Sequence, residues 1–265
     1  MRLYEGTLRV PLIVRLPPAL LAERAPGTAG TRVEQRGGTV DILPTVLDAL
    51  GLPIPEAVQG RTLLPTLGDE RDPASRDART VYYAETLSPR LSYGWGELRA
   101  LYSGEHKYIH GPRPELFDLP ADPQELDELS KMQPEEAARL ERALQSTIDD
   151  LAVGAADAVH ELDAETRQKL EALGYVSSSG DSPGAIQELL RSDGIPPQDR
   201  ARDNAIVSRV KGFLRESDFA TALDEVAQLR DLDPESTFYL DLEARALLGR
   251  GLSETAAELL RAVDD

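Results

Sequence analysis

Few residues in this chain have the types and spacing that a catalytic site needs. Two of the three histidines, His106 and His110, lie four residues apart, a spacing that binds a metal ion when it falls on a helix. The residues around them predict a strand instead, where the two rings would be about 13 Å apart on one face, so we expect no metal site there. The third histidine is His160, and the polar pairs Asp149-Asp150 and Asp203-Asn204 lie in predicted helices, where we expect them to be solvated.

Cysteine is absent from the chain, and this excludes several classes of site. Without Cys there is no thiol nucleophile, no disulfide framework and no Cys-based zinc site. The sequence also has no Gly-rich phosphate loop. Arginine and aromatic residues do cluster in the run PRLSYGWGELR, which contains Arg90, Tyr93, Trp95 and Arg99.

Acidic residues are concentrated in the second half of the chain. The 265 residues carry a net charge of −18, yet residues 1–112 contain 13 basic and 13 acidic side chains. The whole excess of acidic over basic side chains therefore lies in residues 113–265. This change in composition along the chain predicts two structural units. A strongly negative charge argues against nucleic acid and anionic membranes as partners. No apolar run approaches the roughly 18 residues of a membrane span.

The first half of the chain predicts a mixed α/β structure. Residues 10–16, VPLIVRL, are apolar and rich in β-branched residues, which predicts a buried strand of a largely parallel sheet. Helical spacing of apolar residues and a following Gly51 predict a helix over 41–50. Short β-forming runs predict a small antiparallel sheet over 80–119. An apolar stripe at intervals of about four residues predicts a helix over 134–151.

The rest of the chain is predicted to be a linker followed by helices. Residues 153–198 include the run SSSGDSPG and are expected to form a helical and flexible linker. In residues 199–265, Ala222 and Ala256 are 34 residues apart in similar settings, which is the period of the tetratricopeptide repeat, a helical hairpin. We therefore expect an all-α region of truncated repeats. The alternative is an ordinary helical bundle with coincidental spacing.

Three ordered runs in the first half resemble the sulfatase family of the alkaline-phosphatase-like superfamily. The first is LYEGTLRVPLIV, at residues 3–14, and the second is VDILPTVL at 40–47, continued by GLP and QGRTLLP. The third begins with ELRAL at 97–101 and continues through KYI to ELFDL and DP-E at 115–125. Residues 1–152 thus resemble the C-terminal part of a sulfatase, and a junction like LEALGYVSSSG is typical of bacterial sulfatase-like proteins with a tetratricopeptide tail.

The resemblance implies a sheet of the alkaline-phosphatase type and a defined chemistry. A sulfatase uses formylglycine, made from Cys or Ser in a C/S-x-P-x-R motif, beside a divalent cation, usually calcium. Its substrate is a sulfate ester of a small molecule or carbohydrate, and family members are often periplasmic or extracellular. Arg90, Tyr93, Trp95 and Arg99 are then candidates for the substrate pocket, where an arginine binds sulfate. The alternative is a structural loop that closes the small sheet.

The formylglycine motif is missing from this sequence, and the family's metal ligands would precede Met1. We therefore expect the 265 residues to be an inactive C-terminal portion of a sulfatase, with Met1 an internal position. A phosphodiesterase or phosphotransferase of the same superfamily remains an alternative, because the C-terminal motifs do not distinguish these reactions. Another alternative is a non-catalytic module that binds a protein or peptide partner through its repeats.

Overall fold

A computed structural model describes residues 3–67, 81–155 and 190–261 of the chain. The chain divides into two units. One comprises Met1–Thr7, Tyr83–Leu101 and Lys107–Asp265, and the other comprises Leu8–Tyr82 and Tyr102–His106.

The predicted small antiparallel sheet is confirmed. Its four strands follow one another in the order β1-β2-β3-β4. A two-residue turn joins the second and third strands, and Gly104 adopts there the positive φ of 62° that favours glycine. The strand bounds are β1 (Val81–Thr86), β2 (Leu98–Ser103), β3 (His106–His110) and β4 (Glu115–Asp118).

A short helix that the sequence did not predict, α4 (Ser88–Tyr93), follows β1. The run containing Arg90 was expected to be a loop, but Pro89 suits the first turn of a helix and Gly94 ends it in the left-handed conformation. The helix places Tyr93 and Trp95 at the end of a rigid element.

A long helix, α5 (Pro134–Ala155), supplies the apolar face that packs on the sheet. The predicted helix over 134–151 is thus present and extends further. Leu140, Leu144 and Ile148 lie on one face of the helix because they are four residues apart. They pack against Leu101, Tyr108 and Leu116 from the sheet.

The second unit contains short helices and a segment for which the prediction was wrong. The helix bounds are α1 (Glu5–Leu8), which begins in the first unit, α2 (Pro18–Arg24) and α3 (Ile42–Ala49), with 3₁₀ turns at Thr39–Asp41 and Leu64–Leu67. The strand predicted at 10–16 is not formed: these residues belong to no helix or strand, and Ile13 is 87 % exposed. A strand needs a neighbour that pairs with its backbone, and among the described residues no strand runs beside this one.

Four helices occupy the C-terminal region. After a 3₁₀ turn at Pro197–Arg200, the bounds are α6 (Ala201–Arg215), α7 (Phe219–Leu232), α8 (Thr237–Gly249) and α9 (Ser253–Arg261). Asp218 caps α7 through the amide of Thr221, and Ser236 caps α8 through the amide of Tyr239. Each helix packs on the next. Most of the predicted linker, with His160 and the Ser-Gly run, lies outside the described residues.

Candidate functional site

Residues from the start of the first sequence run and from the third run meet around one buried lysine. The Lys107 side chain is fully buried, and its ammonium Nζ lies 2.6 Å from Glu125 Oε1 and 3.2 Å from Glu5 Oε1. The second oxygen of Glu125 accepts a hydrogen bond from the Glu5 backbone amide at 2.5 Å. A buried ammonium needs paired carboxylates to offset its desolvation, and both partners are present here.

A second polar group adjoins these residues in the same unit. The Tyr4 hydroxyl donates to the Glu115 carboxylate at 2.9 and 3.1 Å, and Gln198 Nε2 donates to the same carboxylate at 3.0 Å. The Tyr4 ring meets Phe117 edge-on, with a centroid distance of 6.1 Å. The Tyr-Glu pair of the first run is therefore fixed by the Lys and Glu residues of the third. We call Tyr4, Glu5, Lys107, Glu115 and Glu125 the lysine cluster.

The second run forms its own buried centre in the other unit. The Asp41 carboxylate is buried and accepts hydrogen bonds from the amides of Gly38 and Arg61 and from the Tyr82 hydroxyl, at 2.7 to 2.9 Å. Burial, with Asp41 as a lesser cause, raises the pKa of Tyr82 to about 12. A side chain at Gly60 would place its Cβ 2.0 Å from the Val40 carbonyl oxygen, so only glycine fits there.

The two candidate arginines for a sulfate pocket are paired with acidic residues of the chain. Arg90 Nη2 lies 2.7 Å from Asp193 Oδ1, and Arg90 Nε lies 3.1 Å from Glu97 Oε2. Arg99 is buried and its Nε lies 3.2 Å from the other oxygen of Glu97. An anion would have to displace Glu97, which is also buried.

The two candidate aromatic residues are buried among the C-terminal helices. Tyr93 and Trp95 stack with their centroids 4.5 Å apart, and Phe238 meets Tyr93 edge-on at 4.8 Å. Val210 of α6 and Val226 of α7 belong to the same apolar core. The charged groups of both arginines and the rings of both aromatic residues are therefore already in contact with other residues of this chain. This arrangement favours the structural alternative, and a role in substrate binding stays a prediction.

The expectation that Asp203 is solvated was wrong, because its side chain is buried and accepts hydrogen bonds from Arg200 and the Tyr239 hydroxyl. Sequence reasoning also missed a polar group around His110. His110 Nδ1 lies 3.2 Å from Glu141 Oε1, and His110 Nε2 lies 3.3 Å from Ser192 Oγ. The three residues come from β3, α5 and the segment before the Pro197–Arg200 turn, and no local pattern could have linked positions 82 residues apart. His106, at the other end of β3, is not part of this group.

The described residues do not offer a metal centre. Within 3–67, 81–155 and 190–261, no group of three or more His, Cys, Asp or Glu side chains is arranged to hold a metal ion. In the same ranges no helix is both long enough and apolar enough to cross a membrane.

Comparison with known families places all three runs in the same family domain. The family model described as N-sulphoglucosamine sulphohydrolase, C-terminal, matches residues 1–153. The chain belongs to this sulfatase family. The matched region contains the whole lysine cluster and the Asp41 centre, so both sets of buried polar contacts are made within the family domain. The four C-terminal helices follow the matched region.

Curated relatives are sulfatases from animals and bacteria. Human arylsulfatase K is 31% identical over 171 residues, covering 62% of this chain and 30% of its own length. An N-acetylglucosamine-6-O-sulfatase of Bacteroides thetaiotaomicron is 30% identical over 130 residues, covering 48% of this chain and 22% of its own length. The chain thus spans less than a third of the length of these relatives. Since they include vertebrate proteins, they do not indicate a bacterial source.

A further relative and a solved structure widen the comparison within the superfamily. A multifunctional alkaline phosphatase superfamily protein of Trinickia caryophylli is 34% identical over 112 residues, covering 38% of this chain and 22% of its own length. The phosphonate monoester hydrolase of Agrobacterium radiobacter is 27% identical, with a TM-score of 0.33, over 51% of this chain and 28% of that protein.

Proposed function

We propose that residues 1–153 form the C-terminal part of a hydrolase that cleaves sulfate esters of a carbohydrate or another small organic molecule. The family match over these residues carries this proposal. The lysine cluster supports it, because residues that carry the family resemblance in the sequence make buried polar contacts with one another in this domain. The relatives named arylsulfatase K and N-acetylglucosamine-6-O-sulfatase support the substrate class.

The catalytic groups of the reaction are not among the described residues. A sulfatase needs formylglycine and a divalent cation, and this sequence has no Cys and no C/S-x-P-x-R motif. The described residues also include no carboxylate group suited to calcium. We therefore assign no step of sulfate hydrolysis to this chain, and propose that other residues of the intact protein supply the nucleophile and the metal site. Export to the periplasm or the cell exterior, as in the family, is part of the same proposal.

Two exposed apolar stretches support the proposal that another part of the protein packs against these residues. Val10 and Ile13 lie in the segment at 10–16 and are 67 % and 87 % exposed. On α3, Ile42 and Val46 are 43 % and 47 % exposed. Apolar side chains concentrated in this way mark surfaces that pack against other protein. We propose that the catalytic part of the sulfatase covers them.

The test is to express the reading frame extended upstream of the Met1 codon beside the 265-residue chain. Both proteins are assayed with 4-methylumbelliferyl sulfate and glucosamine 6-sulfate, with and without calcium. We expect calcium-dependent sulfate release from the extended protein and none above a heat-inactivated control from the 265-residue chain. Turnover by the 265-residue chain, or an in-frame stop codon directly upstream, contradicts the proposal.

A phosphoester hydrolase of the same superfamily is a second candidate, favoured by the 34% identity to the multifunctional superfamily protein. The same preparations are therefore assayed with bis-p-nitrophenyl phosphate. Faster turnover of this diester than of either sulfate ester would select the second candidate.

We also propose that α6 to α9 form two tetratricopeptide-like repeats that bind a peptide. The supporting observation is that Ala222 and Ala256, one repeat period apart, are both fully buried where consecutive helices meet. A display library selected on the full chain should yield peptides whose binding is weakened by Arg245→Glu, a charge reversal at an exposed position of α8. Failure to enrich any peptide would contradict the proposed peptide binding.

A further inference from the structure

Three side chains with complementary chemistry meet at the end of β3. His110 presents one ring nitrogen, Nε2, to the hydroxyl of Ser192 at 3.3 Å and the other, Nδ1, to the carboxylate of Glu141 at 3.2 Å. The order is therefore hydroxyl, imidazole, carboxylate. In this arrangement the carboxylate orients the ring and the ring accepts the hydroxyl proton.

The histidine is held in the neutral form that a general base requires. Burial is the main cause that lowers its pKa below the ordinary value of about 6.5, and the nearby charge of Arg99 acts in the same direction. Glu141 and the backbone carbonyl of Arg191 act in the opposite direction. With the proton on Nδ1, which lies 3.2 Å from Glu141 Oε1, Nε2 can accept the proton of Ser192.

The segment that holds Ser192 is fixed from its other side. Arg90 binds the carboxylate of Asp193 at 2.7 Å. Gly194 has a φ of 96°, and a Cβ there would lie 2.9 Å from the backbone nitrogen of Gly96. The same Gly96 amide donates to the Ile195 carbonyl at 2.9 Å. These contacts restrict the backbone next to Ser192, so its hydroxyl has few other positions to adopt.

We propose that Ser192, His110 and Glu141 form a nucleophile–base–carboxylate triad that hydrolyses small carboxylic esters. The proposal is independent of sulfate hydrolysis, and of the residues discussed for that reaction it uses only Arg90, through its contact with Asp193, and the nearby charge of Arg99. Ser192 is exposed, and the side chain of Glu141 is 48 % exposed, so the site is open to solvent. An open site suits unhindered acyl groups such as acetate.

The reaction has two balanced halves. First, Ser192 Oγ bonds to the acyl carbon while its proton passes to His110 Nε2, and the ester C–O bond breaks as that proton passes to the leaving oxygen. A water molecule then repeats the sequence on the acyl-serine, releasing the carboxylic acid and restoring the hydroxyl. Glu141 is a positioning residue, since it contacts the imidazole and not the reacting atoms.

The experiment uses the full chain with a fluorophosphonate probe and with p-nitrophenyl acetate. We expect the probe to label the peptide that contains Ser192, and Ser192→Ala to lower both labelling and p-nitrophenol release at least about tenfold, since general-base catalysis contributes roughly 10²-fold or more. Ser208→Ala is the matched control, because Ser208 is also exposed and bonds only to the Asn204 carbonyl in α6. This control should label as the wild type does.

The pH profile separates a triad from an incidentally reactive serine. The rate should rise with pH through a midpoint below about 6.5, because only neutral His110 accepts the proton. Glu141→Gln removes a charge that favours protonation, so it should lower the rate and move the midpoint to lower pH. Equal labelling of wild type and Ser192→Ala, or a profile without a midpoint below about pH 6.5, overturns the proposal. Neither result depends on whether the intact protein cleaves sulfate esters.

Discussion

Two stretches of one sequence run have opposite environments in this protein. At residues 3–5, Leu3 is 3 % exposed and the polar side chains of Tyr4 and Glu5 bind buried or half-buried partners. At residues 10–16, the apolar Val10 and Ile13 are largely exposed. Charged groups are thus enclosed and apolar groups face solvent, the reverse of the usual distribution.

The difference shows what each stretch needs in order to be buried. Glu5 finds its counter-charge in Lys107, which this chain supplies. The segment at 10–16 would be buried if another strand paired with its backbone, and the described part of the chain contains no strand in that position. A family motif therefore reflects contacts made throughout the whole domain. A motif residue is buried only where its contact partner is also present.

The largest expected effect comes from breaking the enclosed stretch. Lys107→Met should lower the free energy of unfolding by about 3–5 kcal/mol, because it leaves the carboxylates of Glu5 and Glu125 close together without a counter-charge. Urea denaturation monitored by circular dichroism measures this change. Lys131→Met is the control, since Lys131 is exposed and its loss should stay within about 0.5 kcal/mol. A similar small loss for Lys107→Met would mean that the cluster adds little to the fold.

A smaller effect is expected at the Asp41 centre, the polar anchor of the unit that contains the exposed segment. Tyr82→Phe removes one of the hydrogen bonds to the Asp41 carboxylate and should cost about 1–2 kcal/mol. Because the folded-state pKa of Tyr82 is raised to about 12, its contribution is complete below pH 10 and is lost as pH rises from 10 to 12. Urea denaturation between pH 8 and pH 11 should show a weaker loss of stability in the variant. If the variant lost as much stability as the wild type between pH 8 and pH 11, the loss would be caused by other tyrosines.

The parts of the fold that sequence patterns predicted are those decided by local chemistry. The helix over 134–151 follows from apolar spacing, and the turn at Gly104 from a residue that accepts positive φ. The strand at 10–16 was predicted from composition, but pairing with a distant partner decides whether it forms. The short helices α2 and α4 were missed because each has only six or seven residues and begins near proline within a Pro- or Gly-rich run.

The candidate site was predictable only as a set of motifs. The sequence runs identify Glu5, Lys107 and Glu125 as related to one family, but not that Lys107 contacts both carboxylates. The burial of Tyr93 and Trp95 depends on α6 and α7, more than 100 residues later in the chain. The Ser192, His110 and Glu141 group depends in the same way on packing between a strand, a helix and a separate segment. Contacts of this kind have no periodic signal in the sequence.

The smallest effect on folding is expected in the exposed stretch, and it tests the comparison from the other side. Ile13→Glu should change the free energy of unfolding by no more than about 0.5 kcal/mol, since the side chain loses no buried contacts. It should also reduce binding of the dye ANS and light scattering, because it places a charge within an exposed apolar surface. Ile109→Glu is the control: Ile109 is 1 % exposed in β3, and a carboxylate there should prevent folding. Strong destabilisation by Ile13→Glu would show that the segment is buried in solution, and the contrast between the two stretches would then disappear.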